Sequence, residues 1–266
     1  MPFTLSHAAA VLPLFRGPLV PTALVVGAMA PDVPYFLRAT GVPVQAGDWY
    51  EPLLNGTTSH GWPGVVQVAV PVGLLLYVAA RFARRPLGAL APHGRPPAAP
   101  PPGPATLLRV LVSVALGVLT HVVWDSCTHG DGGAVQRLEP LQQQAVAGQT
   151  WARVLQHLST ALGLVALVAW SWRRRASWLA RPGTAPSRRQ RLALAGAVAA
   201  AAVGALLATA RWWDGPRRWF PTVQFVEVVV SDAVKGAGVA LVALAAGAVA
   251  VWWVRHALAI RPRRVR

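Results

Sequence analysis

The sequence predicts an all-α fold, a polytopic integral-membrane helical bundle of about five full spans with a broken helical hairpin at its N-terminus. Three observations carry this. Of 266 residues, 54% are hydrophobic and 13% charged, and several apolar runs reach the roughly 18 to 20 residues that cross a hydrocarbon core of ~30 Å. The formal charge of +16 lies mostly in arginines flanking those runs, as expected for span-flanking charges rather than a nucleic-acid surface. A single cysteine, Cys127, excludes an intramolecular disulfide framework and a cysteine-rich metal site.

The start, Met1 to His7, lacks a basic n-region, and its apolar stretch is interrupted at Arg16-Gly17-Pro18, so no cleavable signal peptide is expected. Ser6 is positioned to cap a helix through Ala8 to Leu14, and Pro21-Thr22 to begin a second through Met29. Each piece is too short to span, which predicts a re-entrant or interfacial hairpin. Its rival is a single irregular crossing by residues 1 to 38. The hairpin ends at Ala30-Pro31-Asp32-Val33-Pro34, where two prolines fix the backbone around Asp32. Residues 39 to 61 then form a polar connection with Trp49 and Tyr50 as interfacial aromatics, ending at Ser59-His60-Gly61.

The first full span covers about Trp62 to Ala80, with a kink or packing contact expected at Pro71. Arg81, Arg84 and Arg85 close it, and a polyproline-type linker containing His93 runs to Pro104. The second span, about Ala105 to Ser126, ends in Leu119-Thr120-His121-Val122-Val123-Trp124-Asp125-Ser126-Cys127-Thr128-His129. A loop follows that has room for a short surface helix near Glu139. The third span, Trp151 to Trp172, carries His157 near its start and closes on Arg173-Arg174-Arg175. Two Ala-rich spans, Leu192 to Ala210 and Gly236 to Val254, complete the set as scaffold. The segment between them, from Arg211 through Val230, reads as a loop with interfacial aromatics and a short helix or strand. In domain terms, residues 1–175 form an N-terminal membrane region with the His/Asp residues, and residues 176–266 a C-terminal scaffold belonging to the same structural domain.

Charge placement predicts orientation. The Arg81–Arg109 loop, the Arg173–Arg191 loop and the tail from Arg255 carry most of the 25 basic residues and none of the 9 acidic ones. Five crossings put these three regions on one side, which the positive-inside rule makes cytoplasmic. His60, His121, Asp125, His129 and His157 then meet at the outer face, joined by His7 and Asp32 if the hairpin does not cross.

Within the central motif, His121 and Asp125 share a helix face at i,i+4, and His129 lies one turn on, where Gly130, Gly132 and Gly133 end the helix. Ionisable groups at such a depth are costly unless they pair, bind a metal or face water. Histidines with two aspartates suit Zn²⁺ first, with Mn²⁺ or Fe²⁺ as alternatives. The candidate ligands are His60, His121, Asp125, His129, Asp32, His7 and His157, and Asp32 and Asp125 are the candidate catalytic bases. No organic cofactor is expected, and with no phosphate-cradling glycine loop, nucleophile elbow or HExxH present, nucleotide-binding, serine hydrolase and zincin readings have no local support. The function expected is metal-dependent hydrolysis of a phosphoester or other ester in a lipid or envelope-associated substrate. The alternative is a non-catalytic scaffold or partner-binding protein held by a polar or metal clamp, and a transporter is a third, weaker reading.

The segments MPFTLSHAAAVLPL, ALVVGAMAPDVPYFL, SHG at Ser59 to Gly61, LTHVVWDSCTH at Leu119 to His129 and LQHLST at Leu155 to Thr160 together resemble a family of uncharacterised bacterial integral-membrane proteins, the domain of unknown function DUF4184. That resemblance implies a bacterial inner-membrane protein and no known reaction. More distantly, His7, Asp32, His60 and His121-x-x-x-Asp125 are similar to the ligand order of membrane-bound metal-dependent hydrolases and of zinc-dependent phospholipase C. This implies metal binding at His60, His121 and Asp125, and more loosely at His7, Asp32 and His129. The later His-x-x-x-Glu pair of the soluble phospholipases is missing, since His157 is followed by Thr160 and Ala161.

Overall fold

The computed structural model describes residues 4–40, 42, 55–89, 103–146, 148–178, 187–212 and 222–260. Trp49, Tyr50, His93, most of the Pro-rich linker, Asp214 and the basic tail beyond Ile260 lie outside the described residues. Among the described residues five helices are long and apolar enough to cross a membrane, so the all-α, multi-pass reading holds. The chain divides into two compact units, one of Met1–Val78 with Pro100–Arg175, the other of Ala79–Ala99 with Ala176–Arg266.

The first unit opens with the hairpin. Helix α1 (Thr4–Ala10) passes into a 3₁₀ segment, Leu12–Arg16, and α2 (Pro21–Met29) returns. Ser6 thus sits inside α1 rather than capping a later helix, because the helix starts at Thr4. A 3₁₀ turn, Ala30–Asp32, leads into α3 (Val33–Ala39). Pro31 in that turn and Pro34 in the first turn of α3 stiffen the backbone on both sides of Asp32. The short α4 (Gly56–His60) precedes the first crossing helix, α5 (Val65–Gly88). Its first residues, Val65–Ala69, are wound as a π-helix just ahead of Pro71, whose missing N–H interrupts the regular ladder. The helix also runs past Ala80 through Arg81, Arg84 and Arg85.

Helix α6 (Pro104–Thr128) matches the expected second span within two residues at each end. It is the axis of this unit. Gly27 of α2 and Gly117 of α6 let the two backbones meet: a Cβ at Gly27 would lie 2.4 Å from the Val114 carbonyl, and one at Gly117 2.3 Å from that of Leu24. Ala23, Ala30, Val65, Ala69, Val110, Val114 and Val118 form the core between α2, α5 and α6. After α6, the expected surface helix is a single turn, α7 (Glu139–Gln142). A two-stranded antiparallel hairpin, β1 (Gln144–Val146) and β2 (Gln149–Thr150), follows and was not predicted from the sequence. Its turn uses Gly148 at φ +74°, and it feeds α8 (Trp151–Trp178). Trp124 of α6 donates to Ser159 of α8 (Nε1 to Oγ, 3.1 Å).

In the second unit, α9 (Arg188–Thr209) starts at a capping box built by Ser187 and Gln190. It packs on α10 (Thr222–Ile260) where Gly204 and Gly236 meet, a Cβ on either lying 2.2 Å from the other's carbonyl oxygen. The region from Thr222 to Val230 is therefore not a loop. It is the first part of a 39-residue helix, at roughly 1.5 Å per residue far longer than the hydrocarbon core. The β-branched run Val228-Val229-Val230 had obscured this, since a short apolar run does not separate helix from strand. Asp232 of α10 accepts from Trp212 (Nε1 to Oδ2, 2.8 Å).

Candidate metal centre

Three segments bring four side chains together at the end of α6. The 3₁₀ turn supplies Asp32, α4 supplies His60, and the last two turns of α6 supply His121 and Asp125. One ligand-type atom from each lies within 4.8 Å of the other three. This is a buried His/Asp cluster capable of holding a metal ion. The side chain of His121 is 0% exposed and that of Asp32 3%, while Asp125 at 11% and His60 at 20% border the outside.

The separations fit an ion between these atoms. His60 Nε2 stands 3.5 Å from Asp32 Oδ1 and 3.3 Å from Asp125 Oδ2. His121 Nε2 stands 3.7 Å from Asp32 Oδ1 and 3.2 Å from Asp125 Oδ2. The two Nε2 atoms are 3.1 Å apart. Two ligands each about 2.1 Å from a tetrahedral zinc ion stand about 3.4 Å apart, which is close to every one of these distances. Ordinary hydrogen bonds run from about 2.7 to 3.2 Å, so the 3.1 Å and 3.2 Å separations also suit hydrogen bonds, while the separations of 3.3, 3.5 and 3.7 Å lie beyond that range.

Hydrogen bonds on the far side of each ring settle which nitrogen faces inward. His121 Nδ1–H donates to the Ala28 carbonyl (2.6 Å), and His60 Nδ1–H to that of Gly56 (2.7 Å). A carbonyl only accepts, so in each neutral imidazole the Nε2 lone pair points into the cluster. Two facing lone pairs repel unless a cation lies between them. Backbone carbonyls behind ligating histidines are the usual way such rings are oriented. The glycine contact of α2 with α6 is what brings the Ala28 carbonyl to His121. Asp32 is held likewise, Thr4 Oγ1 donating to its Oδ2 at 2.5 Å, and Ser59 Oγ ties α4 to the Pro31 carbonyl (2.7 Å).

His60 lies ahead of the first crossing helix. Burial alone lowers its pKa, but the carboxylates of Asp125 and Asp32 outweigh that and raise it to about 10. A proton on His60 is thus a competitor for the position of a metal ion.

Around the four stand His7 and His129. His7 is 2% exposed, stacks on the His121 ring (centroids 3.8 Å apart) and puts Nε2 3.4 Å from Asp125 Oδ1. His129 Nδ1 lies at the same distance from that oxygen. These three atoms, and His7 Nδ1, have no hydrogen-bond partner among the described residues. His157 is not one of the four and lies on the exposed side of α8. Its neighbour Gln156 is the buried one (2% exposed) and meets His129 Nε2 at 3.0 Å. The sequence reading did not include Gln156. Helical phase held the missing signal, since Gln156 shares a face with the small residues Ala152 and Gly163, both buried.

A family model described as a domain of unknown function, DUF4184, matches residues 1–257. The chain belongs to the DUF4184 family. No curated protein and no solved structure matches it. The distant similarity to hydrolases and phospholipase C therefore stays a matter of ligand order alone, and DUF4184 membership assigns no reaction.

Proposed function

We propose that this chain is a multi-pass membrane scaffold whose N-terminal hairpin is clamped onto α6 by one divalent metal ion, ligated by Asp32, His60, His121 and Asp125. The observation that carries this reading is the set of near-tetrahedral separations between inward-facing atoms whose outward partners fix their tautomers. Four protein ligands close a tetrahedral shell, which is the mark of structural zinc sites; catalytic sites keep a position open for water. Zn²⁺ is the first choice for two imidazoles and two carboxylates, with Mn²⁺ or Fe²⁺ next. His7 and His129 support the site from outside by bracketing the second oxygen of Asp125.

A second reading, metal-dependent ester or phosphoester hydrolysis, draws support from the partial exposure of His60 and from a cleft beside His129. In that case one carboxylate, Asp32 or Asp125, leaves the ion and acts as base on metal-bound water. The basic loops lie in the cytoplasm and the cluster at the outer face of a bacterial inner membrane in either case.

Metal analysis of detergent-purified wild type, His121→Ala and Asp125→Ala tests both. The clamp predicts about one ion per wild-type chain, loss in both variants, and a lower unfolding temperature for the variants and for chelated wild type. A folded wild type that takes up no zinc or manganese rules out the site. Turnover of a phosphodiester or ester substrate that vanishes in the same variants favours hydrolysis over the clamp.

A further inference from the structure

The second unit gathers arginines from two helices around the aromatic end of a third. Phe82 of α5 stacks on Trp253 of α10 (ring centroids 4.7 Å apart), and Trp253 Nε1–H donates to the Phe82 carbonyl (3.4 Å). One turn apart on α10, Trp252 and His256 stack as well. Helix α9 reaches the same level through its antiparallel register on α10. Gly204 meets Gly236 and Ala240, Ala208 meets Gly236, and Trp212 bonds to Asp232. Both helices rise about 1.5 Å per residue, so this register, carried toward the start of α9, sets Arg191 level with Trp253 and Arg188 level with His256.

Around these rings α5 contributes Arg81, Arg84 and Arg85, and α9 contributes Arg188, Arg189 and Arg191, all exposed. The stretches that carry them hold no Asp or Glu, and among the described residues none of these arginines has an ion-pair partner. Each placement is unfavourable by itself. Arg81 and Arg85 stand at i,i+4, where like charges repel, and three cations fill the first turn of α9, where the helix dipole disfavours them. A bound anion reverses the sign of both effects. Span-flanking placement accounts for the sign of these charges; the packing of α5 and α9 on one aromatic level of α10 is what assembles them.

The neighbouring surface decides the kind of anion. Leu192, Leu194, Val251 and Val254 lie exposed beside this level, on helices apolar enough to cross a membrane. A ligand there meets cations at one end and an apolar surface at the other, a boundary that indole rings suit. We infer that this end of the second unit binds an anionic phospholipid, its phosphodiester held by arginines of α5 and α9 and its acyl chains lying along α9 and α10. Arginine's planar fork pairs with two oxygens of one phosphate. The site shares no residue with the candidate metal centre and does not rest on the clamp.

The test is calorimetric titration of the detergent-purified full chain with short-chain phosphatidylglycerol, with short-chain phosphatidylcholine as the neutral comparison. Wild type is expected to bind phosphatidylglycerol saturably and phosphatidylcholine at least about tenfold more weakly. Arg85→Gln combined with Arg188→Gln, one arginine from each helix, should weaken phosphatidylglycerol binding roughly 10- to 30-fold. Each single variant is expected to lose about fivefold, which keeps the site testable should the double variant misfold. Arg109→Gln with Arg173→Gln removes the same charge from the first unit and should change binding by less than about twofold. Equal weakening by the two pairs would reduce the effect to a diffuse field and overturn the site. Equal affinity for the two lipids would overturn it too. Binding of the deacylated headgroup, glycerophosphoglycerol, as tightly as the lipid would mark a soluble anion and overturn the assignment of a lipid. Zinc uptake should be the same in wild type and both pairs, so failure here leaves the clamp standing, and a wild type without zinc leaves this site standing.

Discussion

At the scale of single residues, the centre depends as much on atoms behind the ligands as on the ligands. Thr4 holds Asp32 by one hydrogen bond, so Thr4→Val should keep the fold and weaken zinc binding about 10- to 100-fold, the usual range for such supporting contacts. Competition with a zinc indicator measures this. His60 supplies the pH dependence. Its pKa of about 10 means that zinc must displace a proton at neutral pH, so affinity should rise with pH, by roughly tenfold per unit between pH 6 and 9, and flatten above the pKa. Titrations in buffers of different ionisation enthalpy should show one proton released per ion. No proton release would contradict the assignment of His60 as a ligand.

At the scale of elements, the decisive contact is α2 on α6. The two glycines give the backbones their close approach, and that approach carries the Ala28 carbonyl and Asp32 to their places beside His121. Gly117→Val inserts side-chain atoms where a Cβ already lies 2.3 Å from the Leu24 carbonyl. The expected cost is about 1–3 kcal/mol or more, with loss of zinc although no ligand is changed. Thermal unfolding and metal analysis of the same sample check the pair of effects. A variant that keeps full zinc binding would show that the centre does not depend on this helix contact. Gly196→Val, where a Cβ on α9 meets nothing within 4 Å, serves as the control.

At the scale of the molecule, five apolar helices and their arginine flanks make orientation testable. Gly103 and Val146 lie beyond opposite ends of α6, and Val146 is 66% exposed. In a Cys127→Ser background, an impermeant maleimide added to cells with a permeable outer membrane should label Val146→Cys and spare Gly103→Cys until the inner membrane is opened. The reverse pattern would put the basic loops outside and the His/Asp cluster on the cytoplasmic side. Zinc should stabilise the whole chain by about 2.7 kcal/mol when free ion exceeds its dissociation constant a hundredfold, read as a rise in unfolding temperature that chelation reverses.

The sequence by itself determined the class of fold and the long apolar helices, and it put His121 and Asp125 on one helix face, because apolar length and i,i+4 spacing are local properties of a chain. His121 and Asp125 were legible in this way, and so was Asp32 between its prolines. Tertiary structure alone decided which ring nitrogens face inward, since the Ala28 and Gly56 carbonyls that fix them are brought in by packing and have no side-chain signature. It also decided that Gln156 rather than His157 faces the site, a matter of helical phase set by the contact of Gly163 with Ser6. The β1–β2 hairpin and the unbroken α10 were hidden for a related reason. Short runs of mixed propensity take the form their neighbours impose, and those neighbours are distant in the chain.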